Sequence, residues 1–272
     1  MDILISVDIE GVAGVYHPEQ TRAGNPEYEQ ARRMMTREAN AAIAGAFQAG
    51  ADKVYVNDSH GRFRNMLPGE LDERACVIQG RPRLLGMAQG VEMGVQGLAF
   101  VGYHSYASGA GILAHTINSF AFAKILFNDE LIGEAGIYGA VAGEYGVPVI
   151  FGSGDDVFIS ENRPLFPDAE FVQTKKALGQ NCGVSLSGEY ACQLIKEKVA
   201  DAVRRCHKVE PFTYDEGVRV TIHTTTVAMA DLFCGWPAFK RLDTTTVAYE
   251  AHNAQEAMRI LNCCSAMSAS LR

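Results

Sequence analysis

The sequence has no run of apolar residues that approaches the length of a membrane-spanning helix. Met1 is followed at once by the acid Asp2 rather than by a basic segment, so no secretory signal peptide is indicated. The seven cysteines are scattered and include no CxxC pair, which argues against both a disulfide framework and a thiolate zinc site. We therefore expect a cytoplasmic protein with reduced thiols and no membrane partner.

Signature motifs of several enzyme classes are also absent. The chain contains no GxGxxG, Walker, GxSxG or HExxH motif, so nucleotide binding, serine-hydrolase chemistry and zincin chemistry are not indicated. Lysine and arginine number 24 against 32 acids, which gives a net charge of −8 without basic clusters. Because a nucleic-acid binder normally shows a basic patch, no nucleic-acid partner is expected. An acidic balance is compatible with cation binding.

Apolar strand patterns alternate with helical patterns through the first 150 residues. Strands are predicted at 3–7, 53–57, 98–103 and 148–151, and helices at about 26–48, 83–93 and 134–145. Strands separated by helices argue for a parallel sheet that is covered on both faces. The predicted fold class is α/β, with a mostly parallel sheet flanked by helices.

The pattern weakens after residue 156. A helix at 187–205, a strand at 218–224 and a C-terminal helix at 254–268 are still clear. An extended hairpin arm is predicted at 119–127, with its turn at Asn128-Asp129. We expect a catalytic core at 1–156, a smaller α+β lobe at 157–245, and a C-terminal segment, 246–272, that packs back on the core.

Polar side chains follow the predicted strands at their carboxyl ends, where open α/β sheets bind ligands. Asp8 and Glu10 stand two residues apart after the first strand, and two carboxylates on one face repel each other. His60 follows the second strand and His104 the third, while Glu134 begins a helix, whose N–H groups favour anions. A shared sheet edge would bring all five together.

Each residue also has an ordinary structural explanation. Asp8 and Glu10 would suit a solvated strand end, and His60 would suit a polar turn. His104 would suit a core histidine bonded to a backbone carbonyl, and Glu134 a first-turn acid that serves the helix dipole. Their coincidence at one edge of one sheet is what favours a shared site.

Three carboxylates and two imidazoles suit Zn²⁺, and also Mn²⁺ or Co²⁺. A catalytic zinc usually has about three protein ligands, so five ligands fit two ions if one carboxylate bridges them. Asp8 is the candidate bridge. A pair of divalent cations would remove the repulsion between Asp8 and Glu10, and would lower the pKa of a bound water molecule.

His115 follows a glycine-rich loop and differs from the other histidines. If the loop folds over the sheet edge, His115 would reach the metals as acid, base or nucleophile. A loop histidine without a role is the alternative. Asp58, Asp155 and Asp156 are candidates, by position alone, for holding the α-ammonium group of a substrate.

Taken together, several motifs resemble the D-aminopeptidase family of binuclear zinc aminopeptidases. They are SVDIEGVAG, MTREAN, VNDSH, GYHS, the glycine loop before His115, GEAGIYGAVAGEYGVPV and the GDD that follows. The order and spacing match across roughly the first 155 residues, and TTTV with the final helix extends the likeness. One departure is Ser105, where the family usually has alanine.

The resemblance implies release of an N-terminal residue, a D-amino acid such as D-Ala or else Gly, from short peptides. It implies two Zn²⁺ per subunit on the same five residues: Asp8, Glu10, His60, His104 and Glu134. It also implies His115 as the proposed catalytic nucleophile, a cytoplasmic location and a ring-shaped homodecamer. Two other readings stay open, namely a two-metal phosphatase or phosphoesterase and a non-catalytic metal- or peptide-binding ring protein.

Overall fold

A computed structural model describes all residues, 1–272, as six α-helices, twelve β-strands and six short 3₁₀ helices. The helices and strands in chain order are β1 (Asp2–Val7), α1 (Pro26–Gln48), β2 (Lys53–Asp58), β3 (Cys76–Ile78), β4 (Gly97–Val101), β5 (Phe122–Phe127), β6 (Glu130–Leu131), α2 (Glu134–Glu144), β7 (Val149–Asp155), α3 (Asp156–Asn162), β8 (Glu170–Gly179), β9 (Cys182–Ser185), α4 (Gly188–Arg205), β10 (Val218–Thr224), α5 (Val227–Cys234), β11 (Lys240–Arg241), β12 (Thr246–Ala251) and α6 (Ala254–Met267). No helix is long and apolar enough to cross a membrane.

The larger sheet has seven strands in the order β3-β2-β1-β4-β7-β8-β9. Every neighbouring pair is parallel except β8 with β9. The central strands β1 and β4 are almost entirely buried, as expected for parallel strands that are covered on both faces. The predicted fold class, a mostly parallel α/β sheet flanked by helices, is confirmed.

Alternate residues of β1 face two separate apolar cores. Ile3, Ile5 and Val7 pack in the core that contains buried residues of α1 and α4. Leu4 points the other way, into the core that contains residues of α2, α6 and the smaller sheet. The two-residue period of the strand therefore divides its apolar side chains between the two faces of the sheet.

The smaller sheet has five antiparallel strands in the order β11-β12-β10-β5-β6. The predicted strand at 218–224 is its central member. The predicted hairpin arm is confirmed as β5 and β6, joined at Asn128 and Asp129. Both turn residues have positive φ values, 48° and 70°, which suits a tight hairpin turn.

The proposed division of the chain into a core and a smaller lobe stays a prediction, and the two sheets do not follow it. Strands β8 and β9 come from the segment 157–245 but complete the larger sheet. Strand β5 comes from the segment 1–156 but belongs to the smaller sheet. In both sheets, strands that are distant in the chain pair with each other. The periodicity of a sequence does not indicate which strands pair.

The helix predicted at 83–93 is wrong. Two 3₁₀ helices occupy this region, Gly86–Ala88 and Val91–Met93. The backbone at Gly90 between them is left-handed, with φ of 114°, and Gly94 after the second has φ of 77°. A left-handed residue ends a helix, and glycine adopts this conformation without steric cost. Four apolar residues of this segment, Leu85, Met87, Ala88 and Val91, still point into the core, which explains why their spacing imitated a helix.

Candidate metal centre

The carboxyl ends of β1, β2 and β4 meet at one edge of the larger sheet. Two glycines allow the chain to pass closely here. A Cβ on Gly11 would collide with the carbonyl of Tyr103, and one on Gly102 would collide with the carbonyl of Asp8. Gly11 N–H donates to the Gly102 carbonyl over 2.7 Å, so the two loops are held together. The residues that follow β1 and β4 are thereby brought side by side.

Asp8, Glu10 and His60 form one half of the cluster. His60 Nδ1 lies 3.2 Å from Asp8 Oδ1 and 3.1 Å from Glu10 Oε2. Both carboxylates are buried, and the imidazole is only 14% exposed. Glu10 Oε2 is buried and forms no hydrogen bond. Ile9, between the two acids, is turned into the core.

His104 and Glu134 form the other half, around the second oxygen of Asp8. His104 Nε2 lies 3.4 Å from Asp8 Oδ2 and 3.5 Å from Glu134 Oε2. The other Glu134 oxygen accepts a hydrogen bond from Ile117 N–H over 2.6 Å. The two Asp8 oxygens thus face different imidazoles, which is the arrangement that a bridging carboxylate requires.

Backbone carbonyls fix the orientation of both imidazoles. His60 Nε2 donates to the Thr21 carbonyl over 2.9 Å, and His104 Nδ1 donates to the Ser105 carbonyl over 2.9 Å. Because each ring gives one N–H to a carbonyl, the neutral ring turns an unprotonated nitrogen towards the carboxylates. Lone pairs then face lone pairs, and only a proton or a cation between them removes the repulsion.

His115 lies beside this cluster. Its ring stacks on that of His104 with the centroids 4.1 Å apart and an angle of 9° between the planes. His115 Nδ1 donates to the Leu113 carbonyl over 2.8 Å, and its Nε2 lies 3.8 Å from Glu134 Oε1. The loop therefore does fold over the sheet edge, as the sequence suggested, and brings a third imidazole to the site.

The electrostatics of the cluster are those of charges held close together in the interior. Burial raises the pKa of Asp8, and the charge of Glu10 raises it further. Burial opposes protonation of His60 and His104, but the adjacent carboxylates raise the pKa of both imidazoles well above the usual range. His104 Nε2, like Glu10 Oε2, is buried without a hydrogen-bond partner. A divalent cation would replace the protons that this arrangement attracts.

Groups of three ligand atoms from this cluster lie within 4.8 Å of one another. One group comes from Asp8, Glu10 and His104, and the other from His104, His115 and Glu134. The donors are oxygen and nitrogen only, which suits zinc and related ions. The site residues predicted from sequence are thus brought together, and the set fits a metal.

A polar cleft of about 370 Å³ opens beside the cluster. We refer to it below as the cleft. Its ten lining residues are Glu10, Pro18, Thr21, Arg22, Leu113, Ala114, His115, Ser119, Gln180 and Asn181. Because Glu10 and His115 belong to the lining, a molecule in the cleft would reach the cluster.

The three aspartates suggested for the α-ammonium group are engaged elsewhere. Asp58 accepts hydrogen bonds from the backbone N–H of Asn65 and Met66. Asp155 caps α3 by accepting from Phe158 N–H, and Asp156 accepts from an N–H of β8. None of the three lines the cleft. Their suggested role is therefore wrong, because turns and helix caps use the same residue types as binding sites.

Two buried charged residues near the site were missed from the sequence. Lys175 Nζ donates to the carbonyls of Glu10 and Val15 over 2.5 and 2.6 Å. Glu38 Oε1 accepts from Ala13 N–H over 2.8 Å. Together they hold the loop that carries Glu10. In the sequence, Glu38 is recognisable only as a charged residue on the otherwise apolar face of a helix. Such residues are common, so this signal does not identify a functional position.

Buried carboxylates and imidazoles at the carboxyl edge of a mostly parallel sheet, beside a cleft, are typical of metal-dependent hydrolases. The profile of the family described as Peptidase_M55, D-aminopeptidase, matches residues 1–263, and the chain belongs to this peptidase family. It is similar to the D-aminopeptidase of Bacillus subtilis (strain 168), with 32% identity over 262 residues, 96% of this chain and 95% of the relative.

The fold is similar to a solved structure described as the Zn-dependent D-aminopeptidase DppA from Bacillus subtilis, a self-compartmentalizing protease. The TM-score is 0.95 at 31% sequence identity, and the match covers 99% of this chain and 98% of the other. The predicted membership of the D-aminopeptidase family is confirmed. Neither the phosphatase reading nor the non-catalytic reading receives support from these matches.

Proposed function

We propose that this peptidase removes the N-terminal residue of short peptides at a two-zinc centre. Asp8, Glu10, His60, His104 and Glu134 would hold the ions, with Asp8 between them. The observation that carries the proposal is the orientation of the imidazoles. Each gives one N–H to a backbone carbonyl and turns its other nitrogen to buried carboxylates, and both Glu10 Oε2 and His104 Nε2 lack a hydrogen-bond partner. Fixing a ligand ring through its second nitrogen is typical of metal sites.

Zinc bound at this position would polarise a carbonyl group and lower the pKa of a water molecule. The chain's own residues would supply proton transfer and orientation. His115 Nδ1 is committed to the Leu113 carbonyl, so Nε2 is the nitrogen available for a substrate in the cleft. We propose that this nitrogen acts as nucleophile or as general acid and base. The cleft would hold the remainder of the peptide.

Further parts of the proposal draw on the relatives. The description of the similar structure as Zn-dependent supports zinc, and its description as self-compartmentalizing supports an assembly that encloses the active sites. For this chain we propose two Zn²⁺ per subunit, a D-residue such as D-Ala or else Gly at the substrate N-terminus, a homodecameric ring and a cytoplasmic location. Mn²⁺ or Co²⁺ would suit the same donors.

The test combines metal content with activity. The zinc-loaded protein is incubated with D-Ala-D-Ala, L-Ala-L-Ala and p-nitrophenyl phosphate, and zinc per subunit is measured by elemental analysis. We expect hydrolysis of the D-dipeptide and two zinc ions per subunit. The double variant His60→Ala/His104→Ala should lose both. His207→Ala removes an exposed histidine distant from the cluster in sequence and serves as the control.

Retention of both zinc and peptidase activity by the double variant would refute the proposed centre. Faster hydrolysis of the phosphomonoester than of either peptide would refute the substrate class. Equal rates on the D- and L-dipeptides would refute the proposed preference for a D-residue while leaving the metal centre intact. The two parts of the proposal are therefore tested separately.

A further inference from the structure

The cleft contains one permanently charged cation, Arg22. The other lining residues include the acid Glu10, the imidazole of His115 and uncharged side chains. Arg22 is thus the only lining side chain that offers a permanent positive charge to a molecule in the cleft. Its charge is not needed to neutralise the cluster, because no carboxylate of the cluster forms an ion pair with it.

The backbone that carries Arg22 is fixed relative to the cluster. The carbonyl of Thr21, one residue earlier, accepts the hydrogen bond from His60 Nε2 over 2.9 Å. The carbonyl of Arg22 itself accepts from Asn25 Nδ2 over 2.7 Å. The Cα position of Arg22 is therefore tied to the metal centre on one side and to the start of α1 on the other.

The guanidinium group, in contrast, is almost free. Its one ion pair is with Glu19, where Nη1 lies 3.4 Å from Oε1, and the Arg22 side chain is 71% exposed. Exposed pairs of this kind contribute little to stability, so a ligand can replace Glu19 at small cost. Guanidinium presents five N–H donors in a planar fork that matches a carboxylate in two parallel hydrogen bonds.

We propose that Arg22 binds the C-terminal carboxylate of a short peptide whose N-terminal residue lies at the cluster. This inference rests on the peptidase function proposed above. Such a peptide carries a cation at one end and an anion at the other. The carboxylate end needs a positively charged partner, and Arg22 is the one permanently charged cation among the side chains that line the cleft. The substrate class is therefore peptides with a free carboxyl terminus.

The same arrangement limits peptide length. An extended chain advances about 3.5 Å per residue, so each added residue moves the terminal carboxylate further from the cluster. The cleft volume of about 370 Å³ holds only a small peptide. In a longer peptide, the group beside Arg22 would be a neutral backbone amide, which cannot form the charged pair. Arg22 would thus favour the shortest substrates.

The test compares D-Ala-D-Ala with its C-terminal amide, D-Ala-D-Ala-NH₂, in the zinc-loaded wild-type protein and in Arg22→Gln. A charged hydrogen bond in a partly open cleft predicts about a tenfold higher KM of the variant for the free acid. The KM for the amide and the kcat for both should stay unchanged. Arg22→Lys should recover part of the loss. Arg33→Gln, an exposed charge change on α1, is the matched control.

An equal rise in KM for acid and amide would overturn the inference, as would a wild-type protein that treats acid and amide alike. If the wild type hydrolyses neither compound, the peptidase proposal fails, and the inference is then tested by calorimetry. Tighter binding of the free acid than of the amide, abolished by Arg22→Gln, would support the carboxylate site without activity. Equal binding of the two compounds would exclude it. Thermal melting checks that each variant is folded.

Discussion

Replacing Glu38 by glutamine should change the pH dependence of stability. Relative to the wild type, the variant should have a more favourable free energy of unfolding at neutral pH than at acid pH. Glu38 lies in the buried face of α1 and is 1% exposed. Its Oε1 accepts from Ala13 N–H, whereas Oε2 has no hydrogen-bond partner. Burial raises the pKa of Glu38 to about 7, although the charge of Lys175 acts in the opposite direction. Glutamine keeps the acceptor for Ala13 and cannot ionise.

The sign and the size of the effect follow from proton linkage. In the unfolded chain this carboxyl group ionises near pH 4.5, and in the folded protein near pH 7. Between these values the folded state holds a proton that the unfolded state has lost, so stability falls as pH rises. Each pKa unit corresponds to about 1.4 kcal/mol, so the full window is worth about 3 kcal/mol. Because glutamine does not ionise, the variant does not lose this stability as pH rises.

The assay is urea unfolding of wild type and Glu38→Gln at pH 5 and pH 8. Excess chelator and a fixed protein concentration keep metal binding and assembly equal in the two proteins. The difference in unfolding free energy between them should shift in favour of the variant by about 2 to 3 kcal/mol from pH 5 to pH 8. Glu27→Gln, an exposed acid of the same helix, is the control. A constant difference across this range would show that folding does not raise the pKa of Glu38.

Three further perturbations test the surroundings of the proposed metal centre. Lys175→Met should lower the free energy of unfolding by about 3 kcal/mol and weaken zinc binding, because Nζ donates to the carbonyls of Glu10 and Val15. Unchanged zinc affinity in a competition titration would contradict this prediction. Ser105→Ala removes one of the two donors to the half-buried Glu161 carboxylate, the hydroxyl 2.6 Å from Oε1, and leaves Tyr106 N–H. It should lower the unfolding free energy by about 1 to 2 kcal/mol. An unchanged urea midpoint would argue against it. Chelation should lower the melting temperature, with recovery on adding zinc, since the ions bind only the folded site; equal melting with and without chelator would exclude a structural role.

The clustering of the candidate ligands was predictable because strand topology gathers residues in a regular way. Asp8, His60 and His104 each follow a strand, and parallel strands end at one edge of a sheet. The topology of the sheet alone therefore predicts that these three residues lie close together. The same reasoning failed for Asp58, which is the last residue of β2 but accepts hydrogen bonds from the next loop. Position at a sheet edge restricts where a side chain lies, but not which way it turns.

Lys175 shows why the rest was beyond the sequence. It stands next to Lys176 in a strand, and alternation would bury at most every second residue. The pairing of β7 with β8 shifts register between Gly154 and Asp155, with Gln173 opposite the first and Lys175 opposite the second. This irregularity lets Thr174 and Lys175 both be buried while Lys176 is exposed. A bulge is decided by tertiary pairing, which the pattern of the strand does not contain.

The loop after β1 is held from two sides. On the core side, Lys175 binds the carbonyls of Glu10 and Val15. On the cleft side, the carboxylate of Glu10 would be held by the proposed cations. If metal removal loosens this loop, the Lys175 contacts weaken with it, so Lys175→Met should cost less stability in the chelated protein than in the zinc-loaded one. Such a difference is a coupling free energy between the two sides. Equal costs in both forms would mean that the core side alone orders the loop.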